Sequence, residues 1–392
     1  EWLNNDYLRK ILIYHCGSDD LTIQNYHVES AAKKGENFAS IVYRVRVQYL
    51  DNSVEHKMSL IIKSKPEDVA TVEILDEFNT FEREACVYKK ILTESLLLLE
   101  SYGICTQFSP KLIYLDDKTL VLNDLSEAGY ATVNAKLRLN LEHAKLLLQK
   151  LAKFHAVSTV LYKQKPELFS YHVNSCMTTM ETPLYFYYDT AVAEVISIIK
   201  NVPELEPFVD GLEKYHQNLF ENIQAVFSRD DSNDFVVLNH GDLWINNLLW
   251  KHDKNGSVED VLLVDHQEGY LGSCGIDLNH FLYTSCNDDV QMNHLDELIQ
   301  FYCMELVKTL EELKYSDKIP TISDINAELL KKRNHALLVL CCFVPVMIIE
   351  NPDDGKVENF LSDTDEANAI RRKIFSNPKF IEILKKLLPK LL

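Results

Sequence analysis

The hydrophobic pattern of this chain changes period once, near residue 123, and no other feature constrains its fold as strongly. Upstream, runs rich in Val, Ile and Tyr at 23–30, 38–50, 53–64, 111–115 and 119–123 read as strands. Asp51-Asn52 supplies the turn between the second and third of these. Helical spacing upstream is confined to 1–20 and to about 72–92. From about residue 139 onward the apolar residues recur at helical spacing. The clearest case is 143–161, where Ala144, Leu147, Leu148, Leu151, Ala152 and His155 fall on one stripe. The single strand-like interruption, 235–265, holds three short apolar runs and a turn at Lys254-Asn255-Gly256-Ser257. The pattern predicts an α+β chain with a β-rich N-lobe over 1–121, a hinge at 122–126 and a larger, mostly helical C-lobe over 127–392.

Charge narrows the partners. Lys and Arg number 40 against 59 Asp and Glu, a net charge of −19, and such a surface repels phosphate backbones and anionic lipid head groups. Nucleic acid and membrane are therefore disfavoured as partners. The nine cysteines include no CxxC pair, which suits neither a zinc site nor a disulfide framework, so they read as reduced thiols. The longest apolar run, 336–349, contains Pro345 and falls short of the ~20 residues a spanning helix needs; it reads as a buried helix. No leader pattern opens the sequence, and a cytoplasmic protein is expected. Oligomeric state is not fixed by the sequence.

The segment Asn239-His240-Gly241-Asp242-Leu243-Trp244-Ile245-Asn246-Asn247 carries the chemistry. It places an Asp and an Asn five residues apart in a polar loop between two strand-like runs, the catalytic-loop spacing of kinases. Phosphoryl transfer to a hydroxyl needs a carboxylate that orients the nucleophile and takes its proton. It also needs a neutral oxygen ligand for a magnesium ion that keeps some of its waters. Asp242 suits the first role and Asn247 the second. Eighteen residues on, the apolar strand 261–264 ends in Asp265, where a second hard ligand can bridge nucleotide phosphates through magnesium.

These residues, followed by Val264-Asp265-His266-Gln267 and Gly275-Ile276-Asp277-Leu278, resemble the ecdysteroid kinase-like family of insects, which belongs with the choline and aminoglycoside kinases. Phe81-Glu82-Arg83-Glu84 with Tyr88, Val121-Leu122-Asn123-Asp124-Leu125 and Leu151-Ala152-Lys153-Phe154-His155-Ala156 are similar to its other blocks. The resemblance runs from about residue 20 to the C-terminus. It implies a two-lobed protein-kinase-like fold and an ATP- and Mg2+-dependent enzyme that phosphorylates a small-molecule alcohol, with an ecdysteroid or a hydroxylated xenobiotic as the implied acceptor. Lys63 would contact the α- and β-phosphates and Glu84 would pair with it, although Lys65 and Glu82 compete for the two assignments. Gly35 to Ser40 would cover the phosphates, and Asn123 to Leu125 would offer backbone groups to adenine.

Around this set the expectations are structural. His266, where the family usually has Phe, packs as a flat ring, and His240 organises its loop. Asp277 caps a helix and braces the catalytic loop by accepting its backbone amides. Trp244 and Trp250 pack between loop and core, and His155 is a satisfied core histidine. The rings of Tyr185-Phe186-Tyr187-Tyr188 either line an apolar acceptor pocket or serve ordinary helix packing. A silent, ligand-binding pseudokinase is the competing reading, opposed by the presence of all five polar positions. A protein kinase is disfavoured because His-Arg-Asp, Asp-Phe-Gly and Ala-Pro-Glu are absent.

Overall fold

The computed structural model describes residues 2–31, 40–66, 79–175, 183–229, 235–356 and 358–392. Helix α1 (Asn5–Cys16) starts where the Asn4 side chain accepts the Tyr7 amide and stops at Gly17, whose φ of 67° suits a residue without a Cβ. Strands β1 (Leu21–Ser30), β2 (Ile41–Asp51) and β3 (Val54–Ser64) follow. The β2–β3 turn is Asn52-Ser53, one residue later than expected. Both residues have positive φ, 48° and 66°, as a two-residue hairpin turn that matches strand twist requires.

Next come α2 (Thr80–Cys86), a π-helical turn (Val87–Ile91) and α3 (Leu92–Ser101). Strands β4 (Leu112–Leu115) and β5 (Thr119–Asn123) complete an antiparallel sheet of order β1-β2-β3-β5-β4. Lys63 sits opposite Val42 on β2 and Leu120 on β5, in the middle of that sheet. Helix α1 packs on one side, joining Leu8, Ile11 and Leu12 to Val45, Leu60, Ile62 and Val121.

Beyond the connector lie β6 (Tyr130–Ala131) and the long α4 (Leu141–Gln164), capped by the Asn140 side chain. Then follow α5 (Pro183–Ile199), α6 (Val209–Gln217) and α7 (Leu219–Phe227). Strands β7 (Val236–Asn239), β8 (Leu248–His252), β9 (Val258–Leu263) and β10 (Tyr270–Ser273) precede α8 (Gly275–Thr284). The remaining helices are α9 (Asp288–Asn293), α10 (Leu295–Glu312), α11 (Ile322–Lys331) and α12 (Arg333–Met347). Three more end the chain: α13 (Glu358–Leu361), α14 (Asp365–Phe375) and α15 (Pro378–Leu391).

Strand structure in the C-terminal part extends past 235–265. β6 pairs with β8 and β10 with β7, two short partners recognised only by the strand each lies beside. Helix α4 is buried along most of its length, between the β7–β9 strands and α10. A separate apolar cluster joins α5, α6 and α7 to α12, α14 and α15. Among the described residues no helix is long and apolar enough to cross a membrane. All of the aromatic run 185–188 is committed to packing: Tyr187 and Tyr188 are buried, Tyr185 meets Phe220 and Phe186 lies under Arg371. Ordinary helix packing accounts for those four rings.

Candidate active site

Two lysine–glutamate pairs lie side by side, and burial distinguishes them. Lys63 Nζ donates to both oxygens of Glu84, at 2.8 and 2.7 Å, and to Asp265 Oδ1 at 2.9 Å. Lys65 instead pairs with Glu82 at 3.2 Å, nearer solvent, and lies over the Phe81 ring. Only the inner pair reaches Asp265, 202 residues away in sequence. Burial pushes the Lys63 ammonium down, but Asp265 and Glu84 outweigh it and hold it above its usual range. Burial pushes Glu84 up; because both its oxygens accept from Lys63, the charged pair is the state this geometry serves.

Asp265 follows β9 with a φ of 68°, a left-handed backbone that Asp tolerates better than most residues. The Val264 amide before it donates to the Asn247 carbonyl at 3.0 Å, tying the Asp265 segment to the Asp242 loop. In that loop Asn247 Nδ2 donates to both the backbone oxygen and Oδ2 of Asp242, each at 2.9 Å. This fixes the amide and leaves Asn247 Oδ1 as the atom that can face a cation. Gly241 has a φ of 84°, and a Cβ on it would lie 2.1 Å from the Glu268 carbonyl oxygen. Only glycine fits that approach.

The loop hangs from Asp277. Its Oδ2 accepts the His240 amide at 2.7 Å and its Oδ1 the Gly241 amide at 2.9 Å. Asp277 lies within the first turn of α8, whose N-cap is Cys274, so the expected helix cap is corrected: the carboxylate points at the loop and leaves its own helix end alone. Burial pushes the Asp277 carboxyl up, yet His155, His240 and the Gly241 amide more than compensate and hold it below the usual range. His155 is fully buried between Asp277 (3.2 Å) and the Tyr302 hydroxyl (2.7 Å), a satisfied core histidine. His266 packs edge-on to Tyr88 and meets the Ser109 hydroxyl at 2.8 Å, while His240 Nε2 donates to the Val264 carbonyl.

Asp242 keeps 19% of its side chain exposed, but its Oδ1 is turned inward and has no hydrogen-bond partner. Burial, then the charges of Asp265 and Glu268, push its carboxyl up to about 8, against the pull of Asn247 and Trp244. Three carboxylates gathered this closely suit a bound cation. Among the described residues, however, no group of three or more His, Cys, Asp or Glu is placed to hold a metal ion unaided. A magnesium ion here would take Asp265 and Asn247 as protein ligands and complete its shell with phosphate oxygens and water, as that ion ordinarily does.

Of the remaining expected residues, Gly35 lies outside the described ones, and Ser40 stands just before β2. At the hinge, the Asn123 amide donates to the Lys111 carbonyl and the Asp124 amide to that of Ser59. The Leu125 carbonyl accepts the Ala128 and Tyr130 amides, so of the Asn123 to Leu125 amides it is that of Leu125 that makes no backbone hydrogen bond among the described residues. Sequence reasoning missed Asp124, whose carboxylate gathers Arg44, Ser59 and Ser126 into one knot. It also missed Arg83, which donates to the carbonyls of Gly269 and Asn174. Apart from Ser126, two residues from Asp124, the partners of both are distant in sequence, so no spacing signal marks either role.

A lysine on a central strand, a glutamate on the following helix, and an Asp–Asn loop facing a strand-end Asp define a protein-kinase-like α+β fold. The chain belongs to the ecdysteroid kinase-like family, whose model matches residues 34–315. Among solved structures it is similar to a Plasmodium vivax ethanolamine kinase, at 14% identity over 96% of this chain and 89% of that one, with a TM-score of 0.42. An amicoumacin kinase in complex with AMP-PNP, Ca2+ and its ligand Ami shares 13% identity over 98% and 94% of the chains, with a TM-score of 0.45. The streptomycin–ATP–APH(2")-IIa ternary complex shares 14% over 93% and 98%, with a TM-score of 0.39. No curated protein is significantly similar.

Proposed function

We propose that this protein is an ATP-dependent small-molecule kinase that moves the γ-phosphoryl of ATP to an alcohol, with ecdysteroids and hydroxylated xenobiotics as the acceptor class. The observation that carries the reading is the Lys63 ammonium bonded at once to Glu84 and Asp265, which joins the sheet and its following helix to the segment that the Val264 amide ties to Asn247. A cation fixed between carboxylates is a preorganised clamp for phosphate charge. In this reading the lobes meet at 122–126, Leu125 serves adenine, Ser40 stands at the end of the phosphate-covering loop, and Asp265 and Asn247 hold magnesium, which would neutralise developing phosphate charge.

The acceptor oxygen attacks the γ-phosphorus while the bond to the β–γ bridging oxygen breaks, and ADP leaves. The hydroxyl proton passes to Asp242 Oδ2 in its ionised form; the carboxyl, pushed up to about 8 partly by the charge of Asp265, would be held ionised at neutral pH once a cation on Asp265 offsets that charge. Positioning and electrostatics dominate such chemistry, so Asp242→Ala is expected to lower turnover by a factor on the order of 10² while ATP still binds. The test incubates the protein with magnesium-ATP and a panel of ecdysteroids, choline, aminoglycosides and plant phenolics, and looks for a mass gain of one phosphoryl group. Tight nucleotide binding with no gain on any alcohol, or full turnover by Asp242→Ala, overturns the proposal, the first in favour of a silent scaffold.

A further inference from the structure

Behind the Asp242 carboxylate lies a group of buried polar atoms that the phosphoryl-transfer scheme leaves without a task. His280, on α8, is fully buried, and His335, on α12, is 1% exposed. All four of their ring nitrogens lack a hydrogen-bond partner, as does Asp242 Oδ1. The two imidazoles pack 5.5 Å apart, and the walls around them are apolar: Phe343 lies 5.2 Å from the His280 ring and Phe227 lies 5.8 Å from the His335 ring. Buried polar groups are almost always paired, so five orphaned atoms in one place call for a reason. His280 Nε2 stands 3.6 Å from Asp242 Oδ1, too far for a bond and too near for a water between them.

We propose that His280 is a positioning residue for the Asp242 base: with the acceptor bound, its Nε2–H closes onto Oδ1 and holds Oδ2 toward the acceptor hydroxyl. The inference rests on the kinase reading of Asp242. The movement needed is about 0.6 Å, and catalytic hydrogen bonds are commonly long before substrate binds and shorten in the reactive complex. Asn247 Nδ2 already grips Oδ2 from the other side, so the carboxylate becomes fixed at both oxygens. The donor works as a neutral imidazole. Burial and the neighbouring His335 both oppose a positive charge on His280, so the imidazole gives Asp242 a hydrogen bond without handing it a proton. His280 touches neither nucleotide nor acceptor in this scheme.

The experiment compares His280→Phe, which keeps a flat apolar body and removes the donor, with His280→Gln, which restores an amide N–H at the reach of Nε2. The phosphorylated alcohol is the panel member that gains a phosphoryl group with the unaltered protein. His280→Phe is expected to lower kcat about tenfold to a hundredfold, the worth of a hydrogen bond to a charged group, with KM for ATP unchanged. His280→Gln recovers most of that loss. In the unaltered protein, 15N shifts of labelled histidine are expected to show His280 protonated at Nε2, and this settles the matter even where the Phe variant does not fold. Full kcat in His280→Phe, equal losses in both variants, or a proton on Nδ1 overturns the inference. Asp242→Asn run alongside separates the two ideas: its loss of turnover leaves the kinase reading standing whatever His280 does, and its full activity sinks that reading instead.

Discussion

Lys63 and Lys65 are two positions apart and chemically identical, yet their surroundings give them different work. The first is buried against two carboxylates; the second shares a half-exposed ion pair with Glu82, of the kind worth about 0–1 kcal/mol. Removing the first leaves Glu84 buried without a counter-charge and takes a cation from the phosphate site, whereas removing the second exposes little. Lys63→Met is therefore expected to lower phosphoryl transfer by a factor on the order of 10², and Lys65→Met to leave it within a factor of about two. Steady-state turnover on the panel alcohol, measured for both variants, decides the assignment; equal losses would remove Lys63 from the phosphate clamp. The sequence left the two lysines level because side-chain burial is set by the sheet's neighbours. Lys63 faces inward between β2 and β5, and Lys65 has already passed the end of β3.

Elements explain why the Asp242 loop can hold its shape. The amides of His240 and Gly241 have no strand partner and turn to the two oxygens of Asp277, which in turn is fixed by His155 from α4. Asp277→Asn keeps the size but presents an N–H to one of those amides, and a buried donor facing a donor loses its bond. We expect Asp277→Asn to lower unfolding free energy by about 2–4 kcal/mol and to reduce turnover along with it, read by thermal melting and by the panel assay. An unchanged melting temperature would show that the loop supports itself. At this scale much was legible: β3, β5, α4 and the buried helix α12 follow their hydrophobic periods within a few residues. The Asp242–Asn247 spacing was legible too, since it lies within one loop. What stayed hidden was made by contacts between distant segments. β6 and β10 are too short to show alternation, and the Asp124 knot draws on β2 and β3. His280 falls on a helical stripe and reads as core until Asp242 is found beside it.

The whole molecule places more neutral imidazole in its interior than its surface charge suggests, and this gives it an acid limit. Burial pushes His172 down to about 3 and His335 to about 4, and pushes His266 and His280 well below the usual value. In the unfolded chain each takes up a proton near pH 6.5. Below that pH the unfolded state binds more protons than the folded one, so stability falls on acidification, by up to about 1.4 kcal/mol per pH unit for each histidine. Asp242 works the other way: its raised value means that the folded state keeps a proton up to about 8 that the unfolded state has lost, so its share of stability declines from the ordinary carboxylate range up to that pH. Glu84, also raised by burial, acts in the same direction as Asp242. Burial lowers His143 and His240 as well, and six imidazoles outnumber two carboxyls, so in metal-free buffer the melting temperature is expected to peak near pH 6.5, fall steeply toward pH 5 and decline gently toward pH 8. His335→Phe should flatten the acid side, and Asp242→Asn the alkaline side. A melting temperature that holds level from pH 6.5 to 5 would mean that these rings take up protons inside the fold, and the burial argument would be wrong.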